Sequence, residues 1–197
     1  MDKIQDIVIE IKKLEQELFV EMQKKENEFF YKIRGKRVVF EKEARKYQKS
    51  FVVKVSAYIA NTGLLNIITV PFIWSCIIPA LLMDVSLSIY QFISFKIYKI
   101  PTVKRSEYIV IDRHRLGYLN LLEKVNCFYC EYFNGLIAYV QEIAARTEQY
   151  WCPIKHARKL AVMHSRYYKF LEYGDCQDYQ TKLEVLRKDF ADLKDNE

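Results

Sequence analysis

Glycine and proline are scarce in this chain, at five and four of 197 residues, which leaves room only for a few short loops. Histidine is scarcer still, at three. The amino-terminal stretch from Met1 to Glu28 has no continuous apolar run, because charged residues alternate with aliphatics, and a secretory signal is therefore not expected there. The cysteine-bearing region is expected to stay in the cytoplasm, where thiols remain reduced. Five cysteines, an odd number, argue against a pure disulfide framework. Gly-rich phosphate loops and Gly-x-Ser-x-Gly are missing, and so is the Glu-x-x-His pair of di-iron bundles, which weakens an oxygen-activating reading. One further absence is local: the 29 residues from Val55 to Met83 contain no Asp, Glu, Lys, Arg or His.

What is present favours helix. Leu, Ile, Lys, Glu, Tyr and Phe dominate, and neither an internal repeat nor a low-complexity tract is found. The formal charge is +6, from 31 Lys and Arg against 25 Asp and Glu. Basic segments adjoin the uncharged run, so a lipid bilayer is a better partner for them than nucleic acid.

The fold class expected is mostly α, in four parts. Residues 1–50 read as charged, coiled-coil-like helices. Ile4, Ile7, Ile11, Leu14 and Leu18 form a stripe that either packs within the fold or pairs with a second chain, and Gly35 interrupts the first helix. Residues 51–100 read as a membrane hairpin or re-entrant segment hinged near Val70-Pro71-Phe72, because positive residues flank the run on both sides. Asp84 would then lie at membrane depth, where an ionisable group faces protein or water. A buried core hairpin is the bland alternative. Residues 101–175 form a Cys/His domain, with Tyr108–Ile111 a short strand or helix start and a helical face at Leu116, Leu119, Leu122 and Val125. Residues 176–197 form a helical tail.

The densest chemistry is Cys127-Phe-Tyr-Cys130 followed by Cys152-Pro-Ile-Lys-His156. Cys-x2-Cys lets two sulfurs reach one cation. Asn134-Gly135 reads as a turn, and Pro153 as the first position of a new helix with Cys152 as its N-cap. Cys127, Cys130, Cys152 and His156 would then close a tetrahedral Cys3His site. Zn2+ fits that donor set, and an iron–sulfur cluster fits it less well, although Cys176 could replace the histidine. Two other readings stand beside it. Cys152 at a helix N-terminus near Lys155, His156 and Arg158 would be an activated thiol, or the cysteines are simply small core residues. Glu142 and Arg146 read as a surface i,i+4 pair, or with Glu148 as a polar pocket. His164 reads as exposed or as supporting the metal site. Arg113-His-Arg115 reads as a solvated charge run or a headgroup contact.

The strings Asp112-Arg-His-Arg-Leu-Gly-Tyr-Leu-Asn120, Asn126-Cys-Phe-Tyr-Cys130, Tyr132-Phe-Asn-Gly135 and Glu142-Ile-Ala-Ala-Arg-Thr-Glu-Gln-Tyr-Trp-Cys-Pro-Ile-Lys-His-Ala157 resemble a group of uncharacterised bacterial hypothetical, membrane-associated proteins. The likeness covers about residues 70–160. It implies a bacterial inner-membrane setting with the termini and the Cys/His domain cytoplasmic, and it implies no reaction. The function expected is a membrane-anchored, metal-stabilised scaffold or accessory protein that binds a partner or itself through its helical ends. The rival is a membrane-bound metallo- or thiol-dependent enzyme acting on a lipid or quinone, with Cys152 or the metal reactive and Glu142 or Asp84 carrying protons.

Overall fold

The computed structural model describes residues 3–35 and 37–193 and is mostly α-helical with one two-stranded hairpin. The chain divides into two compact units, residues 1–69 with 111–130 and residues 70–110 with 131–197.

In the first unit, α1 (Lys3–Glu28) contains neither glycine nor proline and runs unbroken for 26 residues. The expected apolar stripe is present but uncovered: Ile7, Ile11, Leu14 and Leu18 are 48–62% exposed, so packing of this stripe within the fold is not what forms. The side chain of Ile4 lies outside the described ones. Phe30, with φ 54°, turns the chain into an antiparallel hairpin of β1 (Tyr31–Arg34) and β2 (Arg37–Phe40). Gly35, with φ +59°, supplies the left-handed backbone that a tight hairpin connection needs. Helix was expected here, and the cross-strand pairs Tyr31–Phe40 and Ile33–Val38 replace it. The next elements are α2 (Lys42–Lys49) and α3 (Val55–Asn61), separated by residues 50–54.

A break at Thr62-Gly63 precedes α4 (Leu64–Ser75), α5 (Ile77–Tyr90), a π-helical turn (Gln91–Phe95) and α6 (Lys96–Tyr98). Together these last four make one helical run, Leu64–Tyr98, of 35 residues, long and apolar enough to cross a membrane. The expected hinge at Val70-Pro71-Phe72 is absent, and no membrane hairpin forms there: Pro71 lies inside α4, and the run is interrupted only near Cys76.

The second unit holds all the buried hydrophobic side chains among the described residues, including Phe95, Val103, Leu136, Tyr139, Ile143, Phe170 and Phe190. Its spine is the later part of α8 (Leu121–Trp151), which packs residues 132, 136, 139 and 143 inward at helical spacing. α8 starts with a reciprocal cap: Asn120 Oδ1 accepts from the Glu123 N–H at 3.0 Å, and Glu123 Oε2 accepts from the Asn120 N–H at 2.9 Å. The turn expected at Asn134-Gly135 is instead mid-helix. A Cβ on Gly135 would lie 2.7 Å from the Tyr108 carbonyl oxygen and 2.8 Å from Ile109 Cα, so glycine is there to admit a crossing backbone. That backbone follows α7 (Arg105–Tyr108), one helical turn where a strand or helix start was expected around Tyr108–Ile111. The tail forms α9 (Cys176–Leu186), capped by Asp175 accepting from the Asp178 N–H, and ends at residue 193 in a short 3-10 turn that leaves 194–197 outside the described residues.

Candidate functional site

The Cys/His constellation does not assemble. Cys127 and Cys130 lie in α8, whereas Cys152 follows the last residue of the same helix. At 1.5 Å of rise per residue, 22 residues of helix hold Cys130 and Cys152 about 33 Å apart along the axis. The Cys152 N–H donates to the Glu148 carbonyl at 2.8 Å, so Cys152 closes a helix C-terminus and not the expected N-terminus. This also removes the helix-dipole reason for an activated thiol at Cys152. Pro153 begins no helix: Ile154 bridges Leu171 in parallel, with Lys155 N–H to Leu171 O and Leu171 N–H to Pro153 O both 2.8 Å. His156 is exposed, its N–H donating to the Tyr167 hydroxyl at 2.8 Å and its ring stacked on Tyr167. Among the described residues, no group of three or more His, Cys, Asp or Glu side chains is placed to hold a metal ion. The five cysteines form no disulfide. A four-ligand site for Zn2+ or an iron–sulfur cluster therefore does not fit this arrangement.

The second unit brings together different polar groups. Glu142 and Arg146 are only 6% and 8% exposed, so the surface-pair reading is overturned. Arg146 Nε donates to Glu142 Oε1 at 2.8 Å, Arg146 also donates to the Pro101 carbonyl at 2.8 Å, and Ser165 Oγ donates to Glu142 Oε2 at 2.5 Å. Both carboxylate oxygens are thus engaged, and the group ties α8 to the segments at Pro101 and Ser165. Glu148 joins the same end through His164, whose Nε2 lies 3.2 Å from Glu148 Oε2. His164 Nδ1 accepts from the Arg166 N–H at 3.2 Å, which assigns the proton of the neutral ring to Nε2. Burial lowers the affinity of His164 for a second proton, and the nearby Glu148 only partly offsets this.

One turn further on, Gln149 is fully buried and Arg166 is 2% exposed. Arg166 Nε donates to Gln149 Oε1 at 2.6 Å, and its two other nitrogens form a bidentate pair with Asp192. Gln149 Nε2 donates to the carbonyls of Leu186 and Asp189 at 2.9 and 2.7 Å. Lys169 Nζ bridges Asp189 and Asp192 at 2.9 and 2.7 Å. Burial alone would push the Asp192 carboxyl up, but hydrogen bonds and charge from Arg166 and Lys169 outweigh it and lower its pKa to about 2.

At the other end, Asp84 is 8% exposed. Its Oδ2 accepts from Arg105 at 2.8 Å and from the Tyr132 hydroxyl at 2.9 Å, and its Oδ1 from Arg105 Nε at 3.3 Å. Its charge is therefore compensated within the second unit. Gln91, buried on the inner side of the π-helical turn, donates to the Tyr139 hydroxyl and accepts from the Val103 N–H at 3.0 Å. Sequence reasoning had not picked out Gln91, Gln149, Arg166, Lys169 or Asp192, and counted Arg105 only among the positive residues flanking the run.

The remaining candidate is a surface. From Leu64 to Ile97 large apolar side chains point outward, with Leu64, Leu65, Phe72 and Leu82 between 66% and 78% exposed. In the first unit, the Gly117 N–H donates to Gln48 Oε1 at 2.8 Å, and a Cβ at Gly117 would meet that oxygen at 2.9 Å and Gln48 Cβ at 3.0 Å. Gln48 precedes the uncharged run and Gly117 follows it, so the two flanks of the run touch. Compared with known protein families, curated proteins and solved structures, the chain matches none.

Proposed function

We propose that this chain is a scaffold or accessory protein attached to the bacterial inner membrane from its cytoplasmic face, through the uncharged run between residues 55 and 83. The observation that carries the reading is the outward-facing apolar surface of the Leu64–Tyr98 helix, of which only 6% of the most apolar window is buried. Water would meet many large side chains there, and each fully buried aliphatic or aromatic side chain is worth about 1.5–3 kcal/mol.

The touching flanks argue for attachment from one side. A single crossing would separate Gln48 from Gly117 unless a second segment returned through the bilayer. The returning residues 99–116 include Lys99, Lys104, Arg105, Glu107, Asp112, Arg113 and Arg115, too many charges for hydrocarbon. A shallow re-entrant path meets both conditions. α3 has seven residues and is about 10 Å long, enough to reach into one leaflet of a bilayer core about 30 Å thick. Thr62-Gly63 then supplies the turn. Lys46, Lys49 and Lys54 before the run, and Lys96 and Lys99 after it, would meet anionic headgroups on the same side. The uncovered stripe of α1 supports the second half of the reading, a partner helix or a second copy received at the membrane surface. Zinc has no part in this reading, because its four expected ligands are dispersed.

Vesicle flotation tests it. Wild type should float with vesicles of phosphatidylethanolamine and phosphatidylglycerol. The double variant Leu65→Lys, Phe72→Lys should stay in the dense fraction, since each lysine opposes insertion by about 2.5–3.5 kcal/mol. Flotation of the folded double variant at the wild-type level would contradict attachment through this surface.

A further inference from the structure

The first unit contains a cleft of about 700 Å3 at the junction of α1, the β-hairpin and α2. Its wall is aromatic: Phe29, Phe30, Tyr47, Phe51 and Tyr118, with Tyr47 and Phe51 packed edge to face at a centroid distance of 5.0 Å. Among the described residues, the charged ones that line it are Glu28, Glu41 and Glu43, with no lysine or arginine. Aromatic faces carry negative potential, so rings and carboxylates here act with one sign.

Two observations say what that sign is for. Glu41 and Glu43 form no ion pair among the described residues, and Glu41, which precedes α2, makes no side-chain cap to the helix. Their carboxylates are exposed and line the cleft without a cationic partner among the described residues. At the rim the chain already holds an ammonium group in the same manner: Lys25 Nζ pairs with Glu28 and stands 5.9 Å from the centroid of the Phe29 ring. Glu28 is thereby neutralised, and the charge left over belongs to Glu41 and Glu43.

The geometry points to a binding site for a small organic ammonium ion with an apolar body. The body lies on the aromatic wall and the ammonium faces Glu41 and Glu43. The volume exceeds what a bare ammonium would fill and suits a ligand of drug-like size. The site is independent of membrane attachment, because its lining residues lie outside the uncharged run.

Isothermal titration of the full chain in non-ionic detergent, with empty micelles as blank, tests it with three probes of one shape. These are phenylbutyltrimethylammonium, phenylbutanol and phenylbutanoate. The cation should bind, the alcohol should bind more weakly, and the anion should not bind measurably. Replacing Glu41→Gln together with Glu43→Gln should weaken the cation about ten-fold, since each exposed charge pair is worth about two- to five-fold, and should leave the alcohol unchanged. Tyr47→Ala should weaken both cation and alcohol. Far-UV circular dichroism and a thermal melt show that each variant is folded. Equal affinity for cation and alcohol, wild-type affinity of the double glutamine variant for the cation, or no binding of the cation by folded wild type would each overturn the proposal.

Discussion

The two units use the same residue types in opposite ways. In the second, apolar side chains point inward around α8, and buried charges such as Arg166, Glu142 and Asp84 are each met by a partner with good geometry. In the first, among the described residues, only Gly117 and Asn120 are buried, and isoleucines, leucines and phenylalanines of α1, the hairpin and the first half of α4 face outward. Folding of the second unit draws on its own core and its own polar network. The first leaves apolar surface for a partner helix or for a ligand, and the surface left for lipid starts in it and continues through residues 70–97 of the second. Among the described residues, the buried core and polar network thus belong to the second unit alone, whereas outward apolar surface occurs in both.

The sharpest way to break this contrast is Arg166→Met. Removing one member of a buried, hydrogen-bonded charge pair leaves Gln149 Oε1 without its donor and Asp192 with Lys169 alone, and should cost about 3–5 kcal/mol of the second unit's stability by chemical denaturation. Leu136→Ala, at a side chain 1% exposed, should cost about 2–5 kcal/mol by the same measurement. Gly135→Ala should cost about 2 kcal/mol, because the added methyl meets the backbone at Tyr108 and Ile109. Hydrogen exchange should then rise first at residues 105–110.

Acid should act more gently. The Asp192 pKa is held below its ordinary value of 3.8, at about 2. Its contribution is therefore fully present above pH 4 and is lost as pH falls through about 2. Allowing for solvent screening of this partly exposed group, the contribution is about 1 kcal/mol, and Asp192→Asn should remove this part of the acid sensitivity in a pH series of melts. The smallest effect is expected from Leu14→Ala, the same chemical change as Leu136→Ala at a side chain 57% exposed. It should shift the stability of the isolated chain by less than about 0.5 kcal/mol. Any larger effect should appear only as weaker association in analytical ultracentrifugation.

The helical class was legible in the sequence because glycine and proline are few and the apolar stripes repeat every three or four residues. The hairpin at 31–40 was not, since its four-residue strands are too short for alternation to outweigh the surrounding helical pattern. Asn134-Gly135 is a genuine local turn signal that packing overrides: a crossing backbone needs a residue without Cβ at that point of α8. The metal site was read from residue types at a plausible spacing, and it failed because the intervening residues stay helical. That could have been suspected from the unbroken apolar stripe through residues 132, 136, 139 and 143. The same stripe contained the missed network. Glu142, Arg146 and Gln149 fall on its buried side at steps of four and three, and polar residues on a core-facing stripe signal buried, partnered groups. Their partners Pro101, Ser165, Arg166, Leu186 and Asp189 are distant in sequence, and only the fold identifies them.

Cysteine labelling of intact spheroplasts and of inverted membrane vesicles decides how the uncharged run meets the bilayer. In a chain with its native cysteines replaced by serine, the exposed positions Lys49→Cys and His114→Cys flank the run on either side. Attachment from one face predicts that a membrane-impermeant maleimide labels both only in inverted vesicles. Labelling of one position in spheroplasts and of the other in inverted vesicles would mean that the run crosses the membrane, and would contradict one-sided attachment.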